Sequence, residues 1–372
     1  LAGIYIHIPF CRKACTYCDF HFSTNLQKKS EMMDCIGREA VLRKNDSPEK
    51  KIASLYFGGG TPSVLNEAEL KNIFSVIRNN YSLDENAEIT FEANPDDISK
   101  QVLQLWKNCG INRLSIGLQS FNDEELKWMN RTHTAAQSVD CVKMAQDTGF
   151  DNITVDLIYG SKFQSLQSWE KTLKQAIELN VPHISSYNLT IEEKTALGVK
   201  YRRGEEQAVD EDLSSKQFLM MSEVLENAGF IHYEISNFGK KNFFAVHNSN
   251  YWLGHHYIGL GPSAHSYNGA ERQWNVRSNQ LYMQRVLLGE KFYETETLSP
   301  ENKYNEYVLT RLRTIWGCDV NEMEKLFGKK FSDHFLQKIK AKKNFITEKN
   351  GVFTLNQEGK LLADGIASDL FA

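Results

Sequence analysis

Between residue 3 and about residue 190, short apolar runs alternate with amphipathic ones, and nothing else in the 372-residue chain restricts its fold as much. The runs at 3–8, 52–57, 87–93, 113–118, 153–159 and 183–189 have the length and β-branched content of buried strands. Between them lie helical stretches such as "NEAELKNIFSVIRNN" (66–80) and "QSWEKTLKQAIELN" (167–180). The first opens on Asn66 with Glu69 three residues later, the pattern of a capping box. Strand followed by helix, repeated in this way, predicts a parallel sheet covered by helices. Six units fall short of the eight in a closed barrel, so an open, partial (β/α)6 TIM-like barrel is expected over residues 1–190. Cys11, Gly58 to Gly60, Glu92, Gln119 and Asp156 cluster where the strands end. In parallel α/β folds those carboxyl ends hold the ligand.

The alternation stops near residue 190. Residues 191–297 read as an extension of the core, with a helix near 209–228 and then a region rich in Gly, Asn, His and aromatics. Residues 298–372 read as a smaller α+β, winged-helix-like domain. It has helices near 302–316, 320–327, 332–342 and 357–370, and a hairpin turning at Asn350 and Gly351. A net charge of −4 supplies no global field for nucleic acid. Lys325, Lys329, Lys330, Lys338, Lys340, Lys342 and Lys343 read as a solvated helix face, so no nucleic-acid partner is expected. No run of 18 apolar residues suggests a transmembrane helix, which leaves peripheral contact as the route to a membrane. The opening stretch "LAGIYIHIPFCRKAC" lacks the basic region and long apolar run of a signal peptide, and a cytoplasmic location is the expectation.

Of seven cysteines, Cys35, Cys109, Cys141 and Cys318 are scattered, and Cys109 and Cys141 read as small buried apolar residues. The other three, Cys11, Cys15 and Cys18, fall in "HIPFCRKACTYCDF" directly after the first predicted strand. Structural zinc would need a fourth donor, for which His7 or His21 is near. A redox dithiol would use Cys15 and Cys18 and leave Cys11 unexplained. An iron–sulfur cluster normally takes four thiolates; three would leave one iron open for chemistry. The spacing favours the cluster but leaves all three readings standing.

Beyond spacing, Cys11-x₃-Cys15-x₂-Cys18 resembles the signature of the radical S-adenosylmethionine (SAM) enzymes. "YIHIPFC", "YFGGGTPS", "RLSIGLQSF", "VDLIYG" and "GLGPSAHSY" extend the resemblance along nearly the whole chain. The similarity is to the branch that contains oxygen-independent coproporphyrinogen oxidase and the haem chaperone HemW. It implies a 4Fe–4S cluster on Cys11, Cys15 and Cys18, with SAM chelating the fourth iron. It also implies reductive cleavage of SAM to a 5′-deoxyadenosyl radical, and hence an electron donor. Tyr5, Tyr17, Gly59, Gly60, Thr61, Glu92, Gln119, Arg131 and Asp156 match positions that the family places around SAM. In that reading Asp156 suits the ribose hydroxyls, Arg131 the SAM carboxylate and Tyr17 the adenine. The glycines of "GGGTPS" would let the methionine part approach the backbone.

Two departures bear on the activity. The oxidase carries a fourth cysteine two residues after the third, where this chain has Phe20, and it has a longer segment before its cysteines. Both speak against coproporphyrinogen oxidation and toward the haem-chaperone side of the branch, although oxidase or another radical SAM activity is the alternative. "HNSNYW" at 247–252 matches that branch's H-N-x-x-Y-W pattern, which implies haem binding through His247, Asn248, Tyr251 and Trp252. His255, His256 and His265 compete with His247 as the ligand. The partners implied are haem or porphyrin and haem-accepting proteins, respiratory ones among them.

Overall fold

The computed structural model describes residues 2–46, 49 and 51–372. Six strands form where the apolar runs predict them: β1 (Ala2–Ile8), β2 (Ile52–Gly59), β3 (Leu83–Ala93), β4 (Arg113–Gln119), β5 (Ile153–Tyr159) and β6 (His183–Asn188). They pair in parallel and in chain order. Along β1, Ile4, Ile6 and Ile8 are buried toward the helices, while Tyr5 and His7 point to the opposite face.

The covering helices form for local reasons. Asn66 caps helix Glu67–Asn80, with Glu69 completing the capping box. Leu70, Ile73, Phe74 and Ile77 then fall on the buried face. Ser165 caps helix Leu166–Glu178, which ends two residues before the expected stop because Asn180 adopts a left-handed conformation. Trp106 lies against Phe91 with ring centroids 4.9 Å apart. Burying a side chain of that size contributes roughly 3 kcal/mol.

Residues 191–297 contribute to the same sheet as the six parallel strands. They add strands to both edges of the same sheet: β7 (Ile231–Glu234), β8 (Asn237–Gly239), β9 (His256–Leu260), β10 (His265–Tyr267), β11 (Glu271–Asn275) and β12 (Tyr293–Thr297). The twelve-stranded order is β12-β11-β10-β9-β1-β2-β3-β4-β5-β6-β8-β7. Strand β9 runs parallel to β1, so the strand that leads into the cysteine loop is internal. No pairing among the described residues joins β7 to β12, and the sheet is open.

A second sheet, ordered β13-β15-β14, comprises β13 (Cys318–Asp319), β14 (Ile346–Lys349) and β15 (Val352–Leu355). Helices Pro300–Leu312, Val320–Phe327, Lys329–Ile339 and Ala363–Asp369 pack with it around Tyr304, Val308, Met323, Phe335 and Ile366. The expected helix over 357–370 is two pieces, broken at Leu362. The Lys325–Lys343 lysines line the outer face; Lys329 pairs with Asp333 and Lys342 with Asp369.

Candidate functional site

Residues 9–23 leave the end of β1 and fold across the carboxyl ends of its neighbours. The Cys11 N–H donates to the Ser23 carbonyl at 3.1 Å, and the Thr16 N–H to the Met129 carbonyl at 3.1 Å. Asn130 Nδ2 holds the Ala14 carbonyl at 2.6 Å. The thiols face polar donors from the strand ends. Thr61 Oγ1 lies 3.2 Å from Cys11 Sγ, and Arg131 Nη1 lies 3.4 Å from Cys15 Sγ. Burial pushes the Cys11 thiol up to about 12 and the Cys18 thiol up to about 11. Thiolates here are therefore costly unless a bound cation compensates their charge. His7 cannot complete a zinc site as it stands. Its ring nitrogens are within 2.8 Å of the His21 carbonyl and 3.1 Å of the Tyr5 hydroxyl. Among the described residues no three His, Cys, Asp or Glu side chains converge on one ion. A multi-iron cluster spreads its thiolates over separate irons and needs no such convergence, so this donor set fits a cluster better than zinc.

Every candidate SAM residue except Tyr17 and Arg131 stands on or directly after β1–β5. Glu92, at the end of β3, accepts from the Tyr56 hydroxyl at 2.7 Å and from the Gly59 N–H. Burial, the Tyr56 bond notwithstanding, pushes its carboxyl up to about 7. Asp156 accepts from Ser115 Oγ at 3.1 Å, and burial pushes it up to about 6. Two buried carboxyls facing one hollow suit a cationic ligand, whose charge favours their ionised forms. Gln119 sits at a register shift in β4 with φ of 67°, a sparsely populated conformation for a side-chain-bearing residue. Arg131 is bound through Nη2 to Asn94 Oδ1 and the Gly117 carbonyl, both at 2.7 Å, while its buried Nε has no partner. Tyr17 packs with Met129, Ile158, Leu189 and Leu197 beside the ends of β5 and β6, an apolar patch that a purine could share. Tyr187 is 44% exposed, yet burial raises its phenol, so it lines an inner hollow of the sheet.

The glycines of "GGGTPS" sit where protein segments meet closely. A Cβ on Gly59 would come within 2.6 Å of the His7 ring, and one on Gly60 within 2.6 Å of the Phe10 carbonyl. At Gly59 and Gly60 the β2 loop closes on the end of β1 and the cysteine loop, while a Cβ on Gly58 would meet Tyr56 at 2.9 Å and Glu92 and Tyr5 at 3.0 Å. Gly59 also has φ of 106°.

The "HNSNYW" residues lie at the other end of the hollow. Helix Val246–Trp252 closes it, its first N–H groups held by Glu88 at 2.9 Å each. His247 is 2% exposed. Its Nδ1 is 2.9 Å from Ser54 Oγ and its Nε2 3.3 Å from the Tyr251 hydroxyl, and burial lowers its pKa to about 3. In this arrangement neither ring nitrogen is open to iron. Asn248 is half-buried, and Trp252 Nε1 is buried without a partner. His255 and His256 are half-buried, while His265 is exposed.

Sequence reasoning missed Tyr56, Asn94, Arg113 and Ser115. The period-two alternation of β2 and β4 points Tyr56, Arg113 and Ser115 to the same face as the candidates and could have found them.

Comparison with known proteins gives consistent findings. The model of the radical SAM superfamily matches residues 5–176. The haem chaperone HemW of Lactococcus lactis is 32% identical over 343 residues, 90% of this chain and 89% of that protein. The haem chaperone HemW of Bacillus subtilis is 31% identical over 375 residues, 98% of each. Among solved structures, the Escherichia coli coproporphyrinogen III oxidase HemN, a radical SAM enzyme, superposes with a TM-score of 0.85 over all of this chain and 90% of the oxidase. Sequence identity there is 24%, and the likeness is one of fold.

Proposed function

Because this chain belongs to the radical SAM superfamily and, within it, to the family of HemW haem chaperones, we propose that it binds haem beside a SAM-associated 4Fe–4S cluster and passes haem to acceptor proteins. The observation that carries this reading is the end-to-end extent of the likeness to HemW, which includes the C-terminal module and not the barrel alone. Phe20 supports it. At the position where the oxidase pattern has a further thiol, this chain presents a phenyl ring that is 72% exposed.

Cys11, Cys15 and Cys18 would hold the cluster, which when bound with SAM supplies one-electron chemistry at the sulfonium. The protein's part is positional. Thr61 and Arg131 place donors on the thiol sulfurs. Glu92 and Asp156 face the hollow as acceptors for ammonium and hydroxyl groups, and the unpaired Arg131 Nε is a donor available to a carboxylate. The Tyr17 patch excludes water from the end nearest β5 and β6.

The test is anaerobic reconstitution of the full chain followed by two titrations. Haem is expected to bind with one-to-one stoichiometry, and coproporphyrinogen to pass through unchanged. A reconstituted chain that ignores haem, or converts coproporphyrinogen to protoporphyrinogen, overturns the proposal.

A further inference from the structure

The exposed histidine of the β10–β11 hairpin occupies the most ligand-like position on the surface near the cysteine loop. His265 and Trp274 are directly opposite in the antiparallel register, so their side chains share one face. Tyr267 and Arg272, the next pair but one, fall on that face too. The imidazole and indole centroids are 6.4 Å apart with planes 31° from parallel. A flat macrocycle set perpendicular to the imidazole would therefore meet the indole edge-on, and the indole would keep the imidazole from turning. The His265 ring makes no hydrogen bond among the described residues, in contrast to His247, whose two nitrogens are both engaged. Arg277 is exposed and makes no ion pair among the described residues, whereas Arg272 pairs with Glu306 at 3.0 Å.

The support beneath this face is rigid. Buried Glu39 accepts from the Gly261 N–H and from Asn275 Nδ2, both at 2.7 Å, and from the Tyr282 hydroxyl. Those bonds fix Gly261, and the Asn275 N–H, donating to the Ala264 carbonyl at 2.9 Å, fixes the other side of the "GLGPSAHSY" turn. Ser263, two residues before His265, has φ of 65°, a strained conformation that the fixed ends maintain. The turn also lies against the strand that leads to the cysteines, since a Cβ on Gly261 would come within 2.5 Å of the His7 carbonyl.

We infer that His265 is the iron-ligating residue of the haem site, with Trp274 bracing its ring and Arg277 receiving a propionate. This rests on the haem-chaperone reading and deepens it. It places the haem on the mouth side of the sheet, next to the cysteine loop, and gives His247 a structural task at the closed end.

The test uses the full, cluster-loaded chain titrated anaerobically with hemin, read by the Soret band and by the low-spin electron paramagnetic resonance signal. His265→Ala should weaken hemin binding by about tenfold or more, as loss even of a partner to a metal-bound ligand does. It should also abolish the histidine-ligated spectrum, and added imidazole should restore it. Arg277→Ala should weaken binding while leaving the spectrum intact. His247→Ala should lower thermal stability and leave the spectrum of the folded fraction unchanged. Wild-type chain that takes up no hemin would defeat the chaperone reading itself. Wild-type binding with an unchanged spectrum and affinity in His265→Ala would defeat this inference alone. Should His265→Ala lose its cluster, His265→Met decides: a spectrum still of histidine type overturns the inference, and a thioether-type spectrum upholds it.

Discussion

Replacing Glu92 by Gln should make the protein more stable at pH 8 and indifferent at pH 4. The carboxyl of Glu92 faces the hollow between Tyr5 and Tyr56, and burial raises it from 4.5 to about 7. In the unfolded chain it ionises near 4.5. A folded-state pKa above the unfolded one means stability that is fully present below 4.5 and lost as pH rises through about 7. The difference of roughly 2.5 pKa units corresponds to about 3 kcal/mol. Gln keeps an acceptor for the Tyr56 hydroxyl, 2.7 Å away in the wild type, and carries no charge to desolvate. Urea unfolding of wild type and Glu92→Gln between pH 4 and 8.5 should give free energies that coincide at the acid end. They should separate by roughly 1.4 kcal/mol per pH unit up to about pH 7 and run parallel above it. The same substitution should weaken SAM, whose positive charge favours the ionised carboxylate, and wild-type affinity for SAM should climb over the same pH range. If Glu92→Gln is the less stable protein at pH 8, or if the difference does not change with pH, the carboxyl is not strained by burial and the reasoning fails.

Three further outcomes are expected. Gly60→Ala should displace the cysteine loop, since its Cβ would lie 2.6 Å from the Phe10 carbonyl; iron bound per chain after reconstitution should fall sharply, and full iron content would refute the clash. Glu88→Gln removes the charged acceptor for the Val246 and His247 N–H groups and the carboxylate 3.6 Å from buried Arg113. Thermal unfolding should show a loss of roughly 3 kcal/mol, and an unchanged melting temperature would mean that the closing helix is held by packing alone. Substituting Cys11, Cys15 or Cys18 singly by Ala should abolish the cluster's visible absorbance, whereas retention in any one variant would remove that residue from the ligand set.

The parallel strands were legible because each carries apolar, often β-branched residues at alternate positions toward the helices and is followed by an amphipathic helical stretch. The cysteine loop was legible because its chemistry is local, within eight residues of sequence. The strands of 191–297 were not. They are three to five residues long, half of them face solvent, and their pairing partners are up to about 250 residues away, as when β9 finds β1. The place of His247 was hidden for the same reason, because Ser54, its hydrogen-bond partner, lies 193 residues earlier. A histidine among aromatics reads alike whether the rings enclose a ligand or the histidine itself. The three glycines mark a close approach, but the sequence does not say what approaches: the His7 ring at Gly59, the Phe10 carbonyl at Gly60, and Tyr5, Tyr56 and Glu92 at Gly58.

The position of β9 against β1 bears on how the protein matures. The cysteine loop is pressed from one side by the β2 turn at Gly60 and from the other by the β9 turn at Gly261. During synthesis the second clamp follows the first by about 200 residues, at ordinary rates many seconds later. Through that interval the three thiols belong to a loop with one wall missing. Loading of the metal is therefore expected to be a post-translational event. A ribosome stalled before β9 would hold a nascent chain that already carries every proposed cluster ligand and still lacks the frame that keeps them in place.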